Sequence, residues 1–379
     1  MFVVIKYILF VAVSIVGALC VIAPCVAADE EDVSIFDKFW SYATLYENED
    51  NRLIQKFALS GRLQPESAWF EADQGQFIDY FLWRRLRFGF KTNLFREWVL
   101  HIEADFDLNE SLGNNYTRLT DAYIGWVPRK NLDLKVLKQS AGFTLDGATS
   151  SKKLLTLQRN DLTNNLWFTQ EYFTGITAKG DIGESWSYNI GIFSSDGSDE
   201  LSHFEASYFT LLSLGYSFPR SPKLNNGMIR LDYVYNKEDV NSATRDFSQI
   251  LSLATKWETG PWGLWTDLSG GKGYAEQSDV WGVVLMPFYN FNQYIQFVMR
   301  YTCLTSADNN GLRLPRYESM ITNGRGNEYN EIYAGLNVYF YGHKLKWQTG
   351  VEYTTMKDDS DDGGEYKGWG INTGLRLYW

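Results

Sequence analysis

The stretch Trp98-Val99-Leu100-His101-Ile102-Glu103-Ala104-Asp105-Phe106-Asp107-Leu108 decides the fold. Trp98, Leu100, Ile102, Ala104, Phe106 and Leu108 alternate with Val99, His101, Glu103, Asp105 and Asp107. Successive side chains of a strand point to opposite faces, so one face here is wholly apolar and the other carries four ionisable groups. The end of the chain repeats the pattern: Trp369, Ile371, Thr373, Leu375, Leu377 and Trp379 oppose Gly368, Gly370, Asn372, Gly374, Arg376 and Tyr378. So does the segment before it, where Leu345, Trp347, Thr349, Val351 and Tyr353 oppose Lys346, Gln348, Gly350 and Glu352.

Carried along the chain, period two predicts sixteen strands of about 9 to 14 residues. Their centres lie near residues 62, 86, 103, 122, 136, 174, 189, 213, 231, 252, 265, 283, 298, 334, 349 and 374. Such strands are longer than those usual in soluble sheets and match a tilted strand crossing a bilayer. The expected fold is all-β: a sixteen-stranded antiparallel transmembrane β-barrel.

The connections carry an independent signal. Odd-to-even links, near 71–79, 109–117, 140–167, 194–206, 236–247, 269–279, 303–327 and 355–367, are long and rich in Asp, Asn, Ser and Gly. The links between them are shorter and hold Pro128, Pro219, Pro222, Pro261 and Pro287. Long loops on one rim and short turns on the other is the asymmetry of a bacterial outer-membrane barrel, with both termini then periplasmic. Trp98, Trp126, Trp186, Trp257, Trp262 and Trp379 fall at the short-turn ends, where an interfacial aromatic girdle belongs. A final alternating strand closed by an aromatic residue also looks like the signal read by the barrel-assembly machinery.

Composition agrees. Of 379 residues, 16% are aromatic, yet mean hydropathy is only −0.29, because every second strand residue faces water. Beyond residue 28 no run approaches the roughly 18 apolar residues of a spanning helix. Tyr7 to Ile22, preceded by Lys6 and followed by Val26-Ala27-Ala28, reads as a signal peptide over residues 1–28. Its removal takes Lys6 away and moves the net charge from −11 to −12, with Cys303 the single cysteine left. That excludes an intrachain disulfide framework, and the acidity argues against nucleic acid as a partner. In residues 29–52, Ile35, Phe36, Phe39, Trp40, Ala43 and Tyr46 recur at helical spacing behind Ser34, predicting a short periplasmic helix before a barrel over 53–379.

Catalysis finds no pattern. His101, His203 and His343 lack a nearby nucleophile in a hydrolase arrangement, and no phosphate loop or metal-ligand cluster is present, so neither cofactor nor metal is expected. The run Asp358 to Glu365 departs from calcium-loop spacing and reads as a solvated loop tip. Inward positions say more. Arg85, Arg87 and Lys91 lie on the second strand, and His101, Glu103, Asp105 and Asp107 on the third. Asp121, Arg230, Asp232, Lys256, Asp267, Arg300, Lys346, Glu352 and Arg376 follow. A lumen of both signs holds water and a field for ions, and part of that charge pairs across neighbouring strands. The third long loop, 140–167, carries Leu154, Leu155 and Leu157, apolar residues that favour folding into the lumen over waving in solvent.

Several stretches resemble the phosphate-selective porin O and P family. They are Ser60-Gly61-Arg62-Leu63-Gln64, Arg84-Arg85, Arg96-Glu97-Trp98, Thr120-Asp121-Ala122-Tyr123, and Ala148-Thr149-Ser150-Ser151-Lys152 followed by Leu157-Gln158-Arg159-Asn160. The resemblance covers residues 56 to 165 and implies a homotrimeric channel in outer-membrane lipid, whose inward third loop presents basic groups to small anions. By position, it puts Lys152 and Arg159 at the constriction, with Arg85 and Asp121 beside them. One departure stands out. Where phosphate-specific members carry a Lys just ahead of the Ala-Thr-Ser-Ser-Lys stretch, this chain has Gly147 after Asp146. A general or cation-preferring porin, and a non-conducting structural or adhesin barrel, remain the competing expectations.

Overall fold

The fold is seen in a computed structural model that describes residues 34–110, 115–168, 170–361 and 363–379. The proposed signal peptide lies outside the described residues. Ser34 caps helix α1 (Ile35–Ser41), its hydroxyl accepting from the Asp37 amide at 3.1 Å. A short strand, β1 (Thr44–Glu47), follows and pairs with the first wall strand, so among the described residues the helix stops before Ala43 and Tyr46, which the spacing had included.

The wall begins with β2 (Ile54–Ala72), β3 (Phe77–Leu94), β4 (Trp98–Phe106), β5 (Tyr116–Arg129) and β6 (Leu132–Ser140). It continues through β7 (Tyr172–Ile182), β8 (Trp186–Ser194), β9 (Tyr208–Ser217), β10 (Asn226–Asn236), β11 (Phe247–Thr259) and β12 (Trp262–Gly273). Then come β13 (Val280–Asn290), β14 (Ile295–Ser306), β17 (Glu328–Tyr341), β18 (Leu345–Lys357) and β19 (Tyr366–Tyr378). A small hairpin, β15 (Leu312–Arg313) with β16 (Arg325–Gly326), sits in the loop before β17. Each wall strand pairs antiparallel with the next, and β19 pairs with β2, closing a barrel of sixteen strands. All sixteen predicted centres fall inside these strands. The first long link does not survive: β2 and β3 run to 19 and 18 residues and leave only residues 73–76 as a turn.

Burial is inverted relative to a soluble protein. Leu212, Leu214, Leu231, Leu251, Leu253 and Leu268 are exposed, while Ser213, Asp232, Ser252 and Asp267 on the opposite face of the same strands are buried. An apolar exterior and a polar interior suit a wall facing lipid, where a charge at the midplane costs about 2 to 4 kcal/mol. The rim tryptophans form ring chains at the short-turn end. Trp186 meets Tyr216 at 4.8 Å, Tyr216 meets Phe218 at 4.9 Å and Phe218 meets Trp257 at 5.0 Å, while Trp262 meets Tyr289 at 4.6 Å. Helix α1 docks at this end: Trp40 donates to the Tyr378 carbonyl at 2.7 Å and packs, tilted, 5.0 Å from the ring of Tyr341, whose hydroxyl donates to Asp37.

Candidate functional site: a loop-lined lumen with two cavities

The connection between β6 and β7, residues 141–171, is held by the inner faces of the wall. Asp232 accepts from the Thr144 amide at 3.1 Å, and Asp267 accepts from the Leu145 amide at 2.7 Å. Arg230 donates to the Thr144 carbonyl at 2.7 Å. From the other side, Arg300 donates to Thr156 Oγ1 and the Gln158 carbonyl, both at 2.9 Å; Arg376 reaches the Leu157 carbonyl at 3.1 Å, and Lys346 the Leu154 carbonyl. The wall thus supplies the partners that loop backbone leaves without helix or sheet, as buried polar groups require. Within the loop, Asn160 caps helix α2 (Asp161–Leu166), and Phe143, Leu145, Leu162, Leu166 and Phe168 are sealed against the wall.

Two cavities flank the loop. One, of about 720 Å³, reaches the short turns and is lined by Arg62, Lys130, Lys135, Lys179 and Arg230 with Asp121, Asp133 and Asp181. The other, of about 320 Å³, lies toward the long loops and is walled by Arg84, Arg85, Arg87, Arg118, Arg159, Arg245 and Arg316. Seven arginines there face only two carboxylates, Asp105 and Glu171. Arg159 and Glu171 line both cavities. Arg159 donates to Glu171 at 3.1 Å and to the Asp146 carbonyl at 3.0 Å, with its guanidinium 4.5 Å from the centre of the Trp167 ring. Glu171 is also within 3.5 Å of Arg85 and 3.7 Å of Arg87. Burial opposes its charge, but Arg159, Arg85, Arg87 and Arg84 outweigh that and hold the carboxyl below its usual range.

The residues singled out in the sequence fall into separate groups. Arg85, Arg87 and Asp105 line the arginine-rich cavity; Asp121 and Arg230 line the larger one; Arg159 joins the two. Glu103 is buried against Arg62 at 2.9 Å, and Arg62 also holds Ser151 at 2.8 Å. Arg300 and Arg376 do point inward, but the loop covers them. Their charge is met on the wall by Glu331 at 2.7 Å and Glu66 at 2.6 Å, and their remaining N–H groups hold the loop carbonyls. Lys91 is exposed, opposite His101 on the neighbouring strand. Lys152 is half-buried beside the large cavity, its ammonium 5.0 Å from the Tyr378 ring centre.

Strict alternation missed two arginines, for one reason. It assigns Arg84 to the face opposite Arg85, but the β2/β3 register slips between Gln64 and Pro65, leaving Arg84 as an extra residue. A bulge of this kind shifts parity, so Arg84 and Arg85 both serve the lumen. Arg118 is brought inward in the same way by the register shift opposite Ile102 and Ala104. Gly147 explains its own departure: a Cβ there would sit 2.1 Å from the Phe143 carbonyl oxygen and 3.0 Å from Trp167, so no lysine fits this turn.

Residues 57–218 match the family of phosphate-selective porins O and P. That match covers just under half of the chain, and the closed sixteen-stranded wall has the fold of an outer-membrane porin. A search of curated proteins finds no match. Among solved structures, the porin barrel resembles the anion-selective porin of Comamonas acidovorans, with a TM-score of 0.61 at 11% identity over 85% of this chain and 99% of that one. OmpF of Salmonella typhi, solved with daunomycin, gives 0.58 at 13% identity over 89% and 100%. A trimer form of OmpT from Vibrio cholerae gives 0.55 at 11% identity over 85% and 99%. These likenesses are of fold.

Proposed function

We propose that this porin passes small hydrophilic solutes with a preference for anions, phosphate or similar among them, and that its selective segment is the arginine-rich cavity and its junction at Arg159. The observation that carries the reading is the excess of seven guanidinium groups over two carboxylates in that cavity. Guanidinium replaces part of an anion's hydration shell, and a series of weak sites permits exit as well as entry. The acidic net charge does not oppose this, because exposed charge beyond about 8 Å is screened at physiological salt. In this reading Lys152, Arg159, Arg85 and Asp121 shape the constriction, Arg87, Asp105 and Arg230 line its approaches, and Arg62, Arg300 and Arg376 hold the loop that forms it.

The assembly follows the trimer form of its structural neighbour: three copies in outer-membrane lipid, inserted by the barrel-assembly machinery from the terminal strand, with both ends periplasmic after loss of residues 1–28. Single-channel recording in planar bilayers tests the central claim. Discrete conductance steps are expected, and purified, folded protein that gives none overturns it.

A further inference from the structure

The connection between β14 and β17, residues 307–327, also turns inward, and its anchor is unusual. Leu312, Leu314, Tyr317 and Glu318 are buried. Arg313 and Asn165 of helix α2 bind each other through backbone and side chain at 2.9 and 3.1 Å, while Leu314, Pro315, Arg316 and Ser319 form part of the arginine-rich cavity. Glu318 opens a 3-10 turn (Glu318–Met320) and is only 1% exposed. Its Oε1 accepts from Thr354 Oγ1 of β18 at 3.3 Å, and its Oε2 meets no protein donor. What lies within hydrogen-bond reach is a second carboxyl, that of Glu352 on the same strand.

Ionised carboxylates are acceptors only, so two of them share a hydrogen bond only when a proton or a cation lies between. No group of His, Cys, Asp or Glu among the described residues has the arrangement to hold a metal ion. The surroundings do not neutralise the pair either. Arg300 of β14 is committed to Glu331 of β17 through two bonds of 2.7 and 3.0 Å, with Tyr329 also donating to Glu331. Asp161 of α2 adds a further buried carboxyl, and Arg245 acts on Asp161 from its own loop. Arg376 of β19 is paired with Glu66; Tyr333 and Tyr366 are the neighbouring hydroxyls, and neither has a hydrogen-bond partner.

We propose that Glu318 and Glu352 form a single-proton clamp that docks the loop 307–327 against the inner wall, and that loss of the proton releases the loop and widens the channel. Docking takes up a proton and is therefore favoured at low pH. As pH rises, two carboxylates must share one buried site, and like charges at that distance drive the loop away. Burial first, then the neighbouring carboxylates, push Glu318 upward from its ordinary value, which places release above the usual carboxylate range. The effect on conductance rests on the porin reading; the docking of the loop does not.

Two measurements separate those parts. Glu318→Gln and Glu352→Gln each keep a neutral donor where the acid was. Trypsin at pH 8.5 is expected to cut the wild-type loop at Arg313, Arg316 or Arg325 severalfold faster than in either variant, in folded protein as judged by circular dichroism. Equal cutting of all three overturns the clamp, whatever the channel does. In bilayers, wild-type conductance is expected to rise between pH 5 and pH 9, and that of Glu318→Gln to stay at its low-pH value. A Gln variant that keeps the wild-type pH dependence overturns the gating role.

Discussion

Arg159→Ala removes one positive charge from the place where the two cavities meet. The guanidinium there binds Glu171 and the Asp146 carbonyl and covers Trp167. An ion passing about 4 Å away gains or loses about 1 kcal/mol in a water-like dielectric, and about 4 kcal/mol at the lower effective dielectric near a protein surface. The water limit is the conservative choice for a wet lumen. The substitution then costs the anion and favours the cation by equal amounts, moving their local ratio by about 2 kcal/mol, roughly thirtyfold. Six arginines of the smaller cavity stay in place, so the permeability ratio of the whole channel is expected to fall less, about three- to tenfold. Glu171 keeps Arg85 and Arg87, and the barrel is expected to fold. The assay is the reversal potential under a salt gradient, with Arg159→Lys as the charge-retaining comparison and Lys153→Ala, an exposed neighbour on the same loop, as the control. A reversal potential unchanged in Arg159→Ala, or shifted as far by Lys153→Ala, refutes the placement of Arg159 in the selective segment.

Three further outcomes follow from the geometry. Gly147→Lys forces its Cβ onto the Phe143 carbonyl and is expected to loosen the loop rather than sharpen anion selection, seen as faster proteolysis within 141–171 and a noisier open channel. Lys152 is pulled down to about 8, by burial first and then by Arg62; its charge is present below that value and lost as pH rises through it. Anion preference is accordingly expected to weaken modestly between pH 7 and pH 9 in the wild type and not in Lys152→Arg, as read by reversal potential. Trp40→Ala deletes the ring and the hydrogen bond that dock helix α1, a loss of about 3 kcal/mol at a well-buried site, expected to expose the N-terminal segment to protease while β-sheet circular dichroism stays intact.

The barrel was legible because its physics is periodic. A strand such as Trp98–Phe106 must place its charges on one face and its apolar residues on the other, and nothing in its surroundings can hide that pattern. Turn length was less legible. The polar residues near 71–79 look like a loop, yet Glu71 and Phe77 are paired across the sheet: β19 follows β2 as far as Ala72, and β3 runs on past Leu86, where its pairing with β4 begins. Inward direction was legible for Arg85, Arg87 and Arg230 and hidden for Arg84 and Arg118, because a bulge shifts parity without leaving a reliable mark in the sequence. Arg245 and Arg316 reach the lumen on loops, where no period exists to read. The division between free and committed charge was not legible at all. Arg300 and Arg376 look the same as Arg85 along the chain; in the fold, neighbouring wall strands give them Glu331 and Glu66, and the loop adds the Gln158 and Leu157 carbonyls.

The reversal potential of the wild-type channel across a tenfold potassium chloride gradient at pH 7 tests the central claim most directly. An arginine-walled selective segment gives a potential of the sign set by chloride. A potential of the sign set by potassium would contradict it.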